Sequence, residues 1–521
     1  MKLERLPLTD VPGFSKIFLD YLAQEPSLQA FYGHPPRLTA FEEQISLKKH
    51  HFSDAKRQLL VEALRQQYGG MKEAPHAQIE ALGLANTFTV TTGHQLSLAT
   101  GPLYFVYKII TTIRLAQVLR ATYPAYQFVP VYWMASEDHD FEEINHFYLF
   151  GKKHAWLRPS QGPVGRLSPE GLPELLGEIE EMPGFFKEAY QSAPDLARAT
   201  RQLVQSLFGI YGLVTIDGDD PALKASFAPL MKEDIFSGHS GALVAEASQK
   251  LTDLGYKTQV NPREINFFYI EDQIRARIIA QDAQYQVLNT PIRYTEEEFK
   301  ALIMQSPQKL SPNVVMRPLY QEHLLPNLAY VGGPGELAYW LQLKPVFDFY
   351  QVPYPILKPR NFATIISGSL VRKFQKLGLP YPAIFQEYPA LKNAWLAQNS
   401  QNDISLQTEI LALEQVFAQV GQKAALVDKS LGGVVGAEQQ KARKALENIE
   451  KRLQKAEEKK METELKQIEN LKEKLFPEGT LQERHDNLLS FYLNYPNFLE
   501  ILIQNFDPFS NEMHILADEN E

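Results

Sequence analysis

Residues 91–145 constrain the fold more than any other part of this 521-residue chain. They read TTGHQLSLATGPLYFVYKIITTIRLAQVLRATYPAYQFVPVYWMASEDHDFEEIN. A β-branched run at 87–92 breaks at Gly93 into a polar loop that holds His94, Gln95, Thr100, Gly101 and Pro102. Apolar residues at helical spacing over 103–120 predict a helix, and the apolar run 128–133 predicts a buried strand. That strand empties into Ser136, Glu137, Asp138, His139 and Asp140. The unit is strand, loop, helix, strand, with its polar chemistry at the carboxyl ends of both strands. Open α/β sheets bind their ligands at those ends.

The remainder of the chain extends this unit. Residues 1–80 read as helices, with an amphipathic stretch at 14–22 and another helix at 54–68 stopped by Gly69 and Gly70. Loosely patterned residues near 147–210 form a first insertion. A strand at 213–216 then ends in Asp217, Asp219 and Asp220. A second insertion spans about 223–310, with a helix near 241–254 and strand-like runs at 267–270 and 276–279. The core resumes at 314–316. A strand at 328–331 breaks at Gly332 and Gly333 into a helix beginning with Glu336, and a last strand at 354–357 ends at Lys358 and Arg360. Strands alternating with helices predict an α/β fold with a doubly wound parallel sheet. The core and its insertions thus occupy 1–402.

Residues 403–475 differ in kind. Two long helical stretches, 403–427 and 438–475, flank an interruption at Gly432, Gly433 and Gly436, and a narrow apolar seam runs through Leu446, Ile449 and Leu453. That pattern predicts an antiparallel coiled coil, most simply a homodimerisation device. The segment 476–521 is apolar enough to pack back on the core.

Composition removes several functions. A net charge of −10 gives no reason to expect nucleic acid, whose phosphates need a basic face that only a local Lys/Arg patch could provide. The absence of cysteine excludes a disulfide framework, a thiolate nucleophile and a Cys-ligated zinc site. The N-terminus lacks a signal-peptide core and no apolar run reaches membrane-spanning length, so a soluble cytoplasmic protein is expected.

Three places could carry chemistry. Around Gly93, His94, Gln95 and Gly101, a glycine turn and a following helix N-terminus could receive phosphate, or the glycines could serve the turn alone. At Ser136–Asp140 several ionisable groups follow a buried strand, which is costly unless they are paired or line a cleft. Asp138, His139 and Asp140 could act as general base or hold an amine or Mg²⁺. Ser136, Glu137 and Asn145 would complete that polar lining; helix capping alone is the weaker alternative. Gly332, Gly333 and Glu336 repeat the strand–glycine–helix design as a second anion or ribose site, with Arg317 as a fixed cation. No metal-ligand spacing is present, since His139 and His146 are seven apart and HExxH is absent.

Taken in order, TTGHQLSLATGPLYFVYK, VYWMASEDHDFEEINH, MRPLYQEHLLPNLAYVGGPGELAYWLQLKPVF and the late coiled coil resemble the BshC family of bacillithiol biosynthesis. The resemblance implies a Rossmann-like core similar to class I aminoacyl-tRNA synthetases and nucleotidyltransferases, with two connecting insertions and a dimerising coiled coil. It implies a ligase that adds cysteine to glucosaminyl malate, with ATP and Mg²⁺ but no tightly bound cofactor. In that reading Asp138, His139 and Asp140 are catalytic. Gly93, His94, Gln95, Gly101, Ser136, Glu137, Asn145, Arg317, Gly332, Gly333 and Glu336 bind substrate or nucleotide. His94 stands where the family often has Gln, Leu96 and Ser97 replace a common Pro-Gly pair, and Glu322 replaces a frequent Asp. The His-x-Gly-His and Lys-Met-Ser-Lys-Ser synthetase signatures are absent. Two alternatives to the ligase stand beside it: a non-catalytic nucleotide- or metabolite-binding protein with this fold, and a metal hydrolase.

Overall fold

Five parallel strands form the centre of the computed structural model, which describes residues 1–180, 182–400 and 402–519. From one edge to the other they are Val214–Asp217, Gln127–Met134, Thr87–His94, Asn327–Gly332 and Ile356–Pro359. Numbered along the chain, that order is 3-2-1-4-5. It reverses between Thr87–His94 and Asn327–Gly332, where Tyr330 lies beside Thr91 and Val331 beside Thr92. A crevice opens at such a reversal because the connecting helices leave on opposite faces of the sheet. The doubly wound core expected from the sequence is present.

The helix Leu103–Thr122 contains neither Gly nor Pro and is buried around most of its circumference. Its sequence shows no polar face because the parallel sheet covers one side and the C-terminal helix Phe498–Asn505 the other. Arg114 reaches across to donate to the Phe506 carbonyl at 3.2 Å. Lys108 is the one charged side chain buried within this helix.

A second, three-stranded sheet fastens the ends of the chain. Glu512–Ala517 lies between Lys2–Pro7, antiparallel, and Phe362–Ile366, parallel. These three strands escaped the sequence reading. Their partners are hundreds of residues away, and Phe362–Ile366 follows Ile356–Pro359 after only two residues. Asn520 and Glu521, the last two residues of the 476–521 segment, lie outside the described residues.

The first insertion comprises the hairpin of His146–Leu149 with Lys152–Ala155 and a helical group that includes Leu196–Phe208. The second contributes the helices Pro221–Ser237 and His239–Asp253 and an antiparallel sheet built on Phe267–Glu271 and Ile274–Gln281. Residues 314–316 form no strand; Val315 and Met316 are buried where the helix Arg317–Leu324 begins.

The helical hairpin pairs Gln407–Val427 with Gly432–Lys460, and Glu462–Leu475 continues it onto the core. The turn is not at the glycines. It falls at 428–431, where the Asp428 carboxylate accepts from the Ser430 N–H at 2.8 Å. Gly432, Gly433 and Gly436 instead lie in the first turns of the second helix, where their low helix propensity costs only about 1 kcal/mol each.

Candidate active site

The crevice at the strand reversal holds a cavity of about 330 Å³. Gly93, His94 and Gln95 form one wall, and Gly333, Pro334, Gly335 and Glu336 the other. Both glycine turns exist for close approach. A Cβ on Gly93 would stand 3.3 Å from the Tyr330 hydroxyl, and one on Gly332 would stand 3.1 Å from Leu337 and Tyr330. The two strand ends predicted to carry chemistry therefore face each other across one cavity, with Arg317 between them.

Its floor is charged. Lys108 donates to the Gly93 carbonyl and pairs with Glu336 at 2.7 Å. Glu336 also accepts from the Tyr330 hydroxyl at 2.6 Å and from the Gly333 N–H at 2.9 Å. Burial pulls Lys108 below the usual lysine value despite Glu336. Burial would raise Glu336, yet Lys108 and the Gly333 N–H hold it below the usual carboxylate range. Arg317 donates to Gln321 at 3.0 Å and to the Tyr339 hydroxyl at 3.3 Å, both neutral groups. Arg360 pairs with the buried Glu483, and its Nε has no acceptor. Arg484 is exposed at the rim, 5.9 Å from the Tyr104 ring. Lys108, Arg317, Arg360 and Arg484 thus surround a space whose lining carboxylates are Glu336 and Glu143. Such a site attracts an anion.

His94 is uncharged here. Burial, then Lys108, push it down to about 3. Its ring lies against Phe105, with centroids 4.9 Å apart, and its Nε2 has no partner. It can take part in hydrogen bonding but does not add to the positive charge.

A second cavity, of about 440 Å³, adjoins the first and shares Trp133, Ala135 and Arg317 with it. The sheet of the second insertion roofs it with Phe267, Phe268 and Arg275. Asp138 lines this cavity and accepts from Gln95, which lines the first, at 2.9 Å. Burial tends to raise Asp138, but hydrogen bonds from His139 and Gln95 and the nearby Arg275 hold it well below the carboxylate range. A carboxylate so stabilised is a weak base and a good acceptor for a cation.

The rest of the Ser136–Asp140 cluster turns away from the first cavity, although Glu137 lines the second beside Asp138. Ser136 donates to Asp217, beside a separate cavity of about 870 Å³ at the outer strand. Glu137 pairs with buried Lys224 at 2.7 Å, and Lys224 pairs equally closely with Asp219. Arg166 grips Asp219 with two hydrogen bonds, at 2.8 and 3.0 Å. These bonds fasten both insertions to the strand ends. His139 is half exposed, with its Nδ1 2.8 Å from Arg275, and lines neither of the two adjoining cavities. Asp140 is exposed and makes no capping bond to the short helix Phe141–Ile144. Of the three residues expected to be catalytic, Asp138 lines the adjoining cavity, while the chain turns into that helix and carries His139 and Asp140 outward.

Gly101 and Asn145 also leave the site. The Leu103 N–H donates to the Asp486 carbonyl at 2.8 Å, and Asn487 holds the Ala99 and Gly101 carbonyls at 2.8 and 2.6 Å. The helix start expected to receive phosphate is thus covered by the C-terminal segment. Asn145 lies beside His146 at the start of the hairpin.

Lys108, Arg275, Arg360, Arg484 and Tyr330 were not foreseen as site residues. Lys108 carried a signal, as a charge in an otherwise apolar helix. Arg360 ended a predicted strand, at the position where the core places ligands. Arg275 and Arg484 had none, since their placement depends on the insertion and the C-terminal segment folding back.

Comparison with known proteins bears on the whole chain. Residues 1–361 match the family model described as "Bacillithiol biosynthesis BshC, N-terminal Rossmann-like domain", and residues 363–517 match "Bacillithiol biosynthesis BshC, C-terminal coiled-coil domain". Three relatives share the description "Putative cysteine ligase BshC". That of Flavobacterium psychrophilum is 44% identical, covering 97% of this chain and 96% of its own. The Flavobacterium johnsoniae relative is 43% identical over 97% of each chain. That of Cytophaga hutchinsonii is 41% identical, also over 97% of each.

Proposed function

The chain belongs to the BshC family of bacillithiol biosynthesis, and from that premise we propose that it is a ligase joining the carboxyl group of cysteine to the amine of glucosaminyl malate at the expense of ATP. The observation that carries the reading is the unbalanced positive charge at the sheet reversal, where Lys108, Arg317, Arg360 and Arg484 face one cavity. The malate dicarboxylate is an anion suited to that floor. A free carboxylate is a poor electrophile. In the proposed sequence it attacks the α-phosphorus of ATP to give an acyl adenylate and pyrophosphate. The glucosaminyl amine then attacks the acyl carbon, forming the amide and releasing AMP and a proton. Mg²⁺ arriving with the nucleotide needs only one or two protein carboxylates beside the phosphate oxygens, and Glu143 stands at the rim. Asp138 would hold an ammonium rather than deprotonate it, given how strongly its charged form is favoured.

Purified protein given ATP, cysteine and glucosaminyl malate should release AMP and bacillithiol in equal amounts. No product, together with an Asp138→Ala variant that supports normal bacillithiol levels in cells, would sink the reading.

The helical hairpin fits a homodimer. Leu411, Val416, Val420, Val434 and Ile449 are all exposed along it, at 44% or more of their surface. An apolar stripe of that extent is costly in water and is relieved by a second copy. Loss of the dimer on deleting 407–460, measured by light scattering, is the expected outcome; a dimer that survives the deletion contradicts it. The chain has no helix long and apolar enough to cross a membrane among the described residues, and cytoplasmic ATP and cysteine make the cytoplasm its proposed location.

A further inference from the structure

Two cavities meet at Trp133, Ala135 and Arg317, and the proposed reaction has two substrates besides the nucleotide. The floor at the strand reversal suits a dicarboxylate. The cavity under the second insertion is lined by Arg263, Arg275, Arg277 and Arg317 with Glu137 and Asp138, and of these Arg275 and Asp138 stand side by side against an apolar wall. Arg275 extends from the strand Ile274–Gln281, its side chain only 10% exposed. Its guanidinium lies 4.1 Å over the Phe268 ring, which fixes its plane. Its Nε is buried and has no acceptor among the described residues. One terminal nitrogen reaches His139, and the same nitrogen stands 3.6 Å from Asp138, too far for a good hydrogen bond. The cation is therefore held in place but incompletely satisfied. Asp138 stands beside it, ionised and tied to the first cavity through Gln95. Ile265, Phe267 and Phe268 supply a wall for a small side chain.

We infer that this cavity is an α-amino-acid subsite, in which Arg275 receives the carboxylate and Asp138 the ammonium of the same molecule. The inference rests on the ligase reading and deepens it by assigning the amino-acid substrate to the second insertion. A zwitterion complements this pair in a way that a simple acid or amine cannot, because each of its ends meets an opposite charge. The Gln95–Asp138 bond then places the amino acid at the seam between the cavities, where its carboxyl group can meet the second substrate. The insertion becomes the source of amino-acid specificity, while the parallel sheet serves the anionic acceptor.

Calorimetric titration of the full-length protein tests this, with and without saturating glucosaminyl malate. The probes are L-cysteine, cysteamine, which lacks the carboxylate, and 3-mercaptopropionate, which lacks the amine. Arg275→Gln should weaken L-cysteine and 3-mercaptopropionate tenfold or more and leave cysteamine unchanged. Asp138→Asn should weaken L-cysteine and cysteamine and spare 3-mercaptopropionate. A misfolded variant would lose all three probes alike, so Arg275→Lys serves as a control; it keeps the charge and should recover part of the L-cysteine affinity. Crossed losses of this kind support the subsite even if no product forms, in which case only the ligase reading fails. Product formation by Arg275→Gln with an unchanged KM for cysteine overturns the subsite alone, as does the absence of L-cysteine binding to the unaltered protein under both conditions.

Discussion

Lys224 and Lys108 both sit buried at the carboxyl ends of the central sheet, and they are solvated by the protein in opposite ways. Lys224, at the outer strand, is clasped by Glu137 and Asp219 at 2.7 Å each, and Asp219 is gripped again by Arg166. Burial pulls Lys224 down, but the two carboxylates win and hold it above the ordinary lysine value. Lys108, at the strand reversal, has Glu336 alone as its carboxylate partner, and it stays below the ordinary value. Arg317, Arg360 and Arg484 stand around it. The first network is closed on itself and fastens insertions to the core. The second carries surplus positive charge into an open cavity. A high density of ionisable residues is therefore no guide to where a ligand goes; the imbalance left after pairing is the better one.

Breaking the closed network should have the largest effect on stability. Lys224→Met leaves Glu137 and Asp219 without their shared cation, and removal of one partner from a buried pair costs about 3–5 kcal/mol. Urea denaturation should show that loss, and a loss under ~1 kcal/mol would mean the network is not closed. Glu336→Gln strands Lys108 in the open network. Its expected cost is smaller, about 2–3 kcal/mol, since Glu336 keeps some solvent exposure and hydrogen bonds to Tyr330 and Gly333 can remain. Malate-bearing ligand should raise the melting temperature of this variant, a rescue for which Lys224→Met has no counterpart. Arg317→Gln should cost less, about 1 kcal/mol, because it gives up hydrogen bonds to neutral partners and strands no charge.

The remaining effect is one of pH. Burial, then Asp219, push Asp217 up to about 6, well above the ordinary aspartate value. The folded protein thus holds this proton more tightly than the unfolded chain. Folded Asp217 contributes stability at low pH that is lost as pH rises from about 4 to 6. Asp217→Asn removes the contribution, so the stability difference between variant and parent should change across that window and be flat above pH 7. A flat difference throughout would place Asp217 outside the buried cluster.

The sequence made the core legible because periodicity and glycine turns are local signals. The strands at Thr87–His94, Gln127–Met134 and Asn327–Gly332 and the helix after Gly93 all follow from runs of twenty residues or fewer. What failed was long-range. Asp140 and His139 look catalytic in a string, yet the short helix at Phe141–Ile144 turns them outward. Gly101 looks like a phosphate turn until Asn487, nearly four hundred residues on, covers it. Gly432 and Gly433 look like a break because glycine is a poor helix former, yet the break lies at Asp428–Leu431, where a side chain bonds its own backbone. Arg275 and Arg484 enter the site only through tertiary contacts, so nothing local marks them.

Equilibrium binding of glucosaminyl malate to the full-length protein, compared with Arg317→Gln, tests the surplus-charge account most directly. Loss of one charge-assisted contact to a carboxylate is worth about 1.5–3 kcal/mol, so the variant should bind at least tenfold more weakly and its affinity should depend less on salt. Equal affinity for both proteins at every salt concentration would show that the cations at the strand reversal do not hold the substrate.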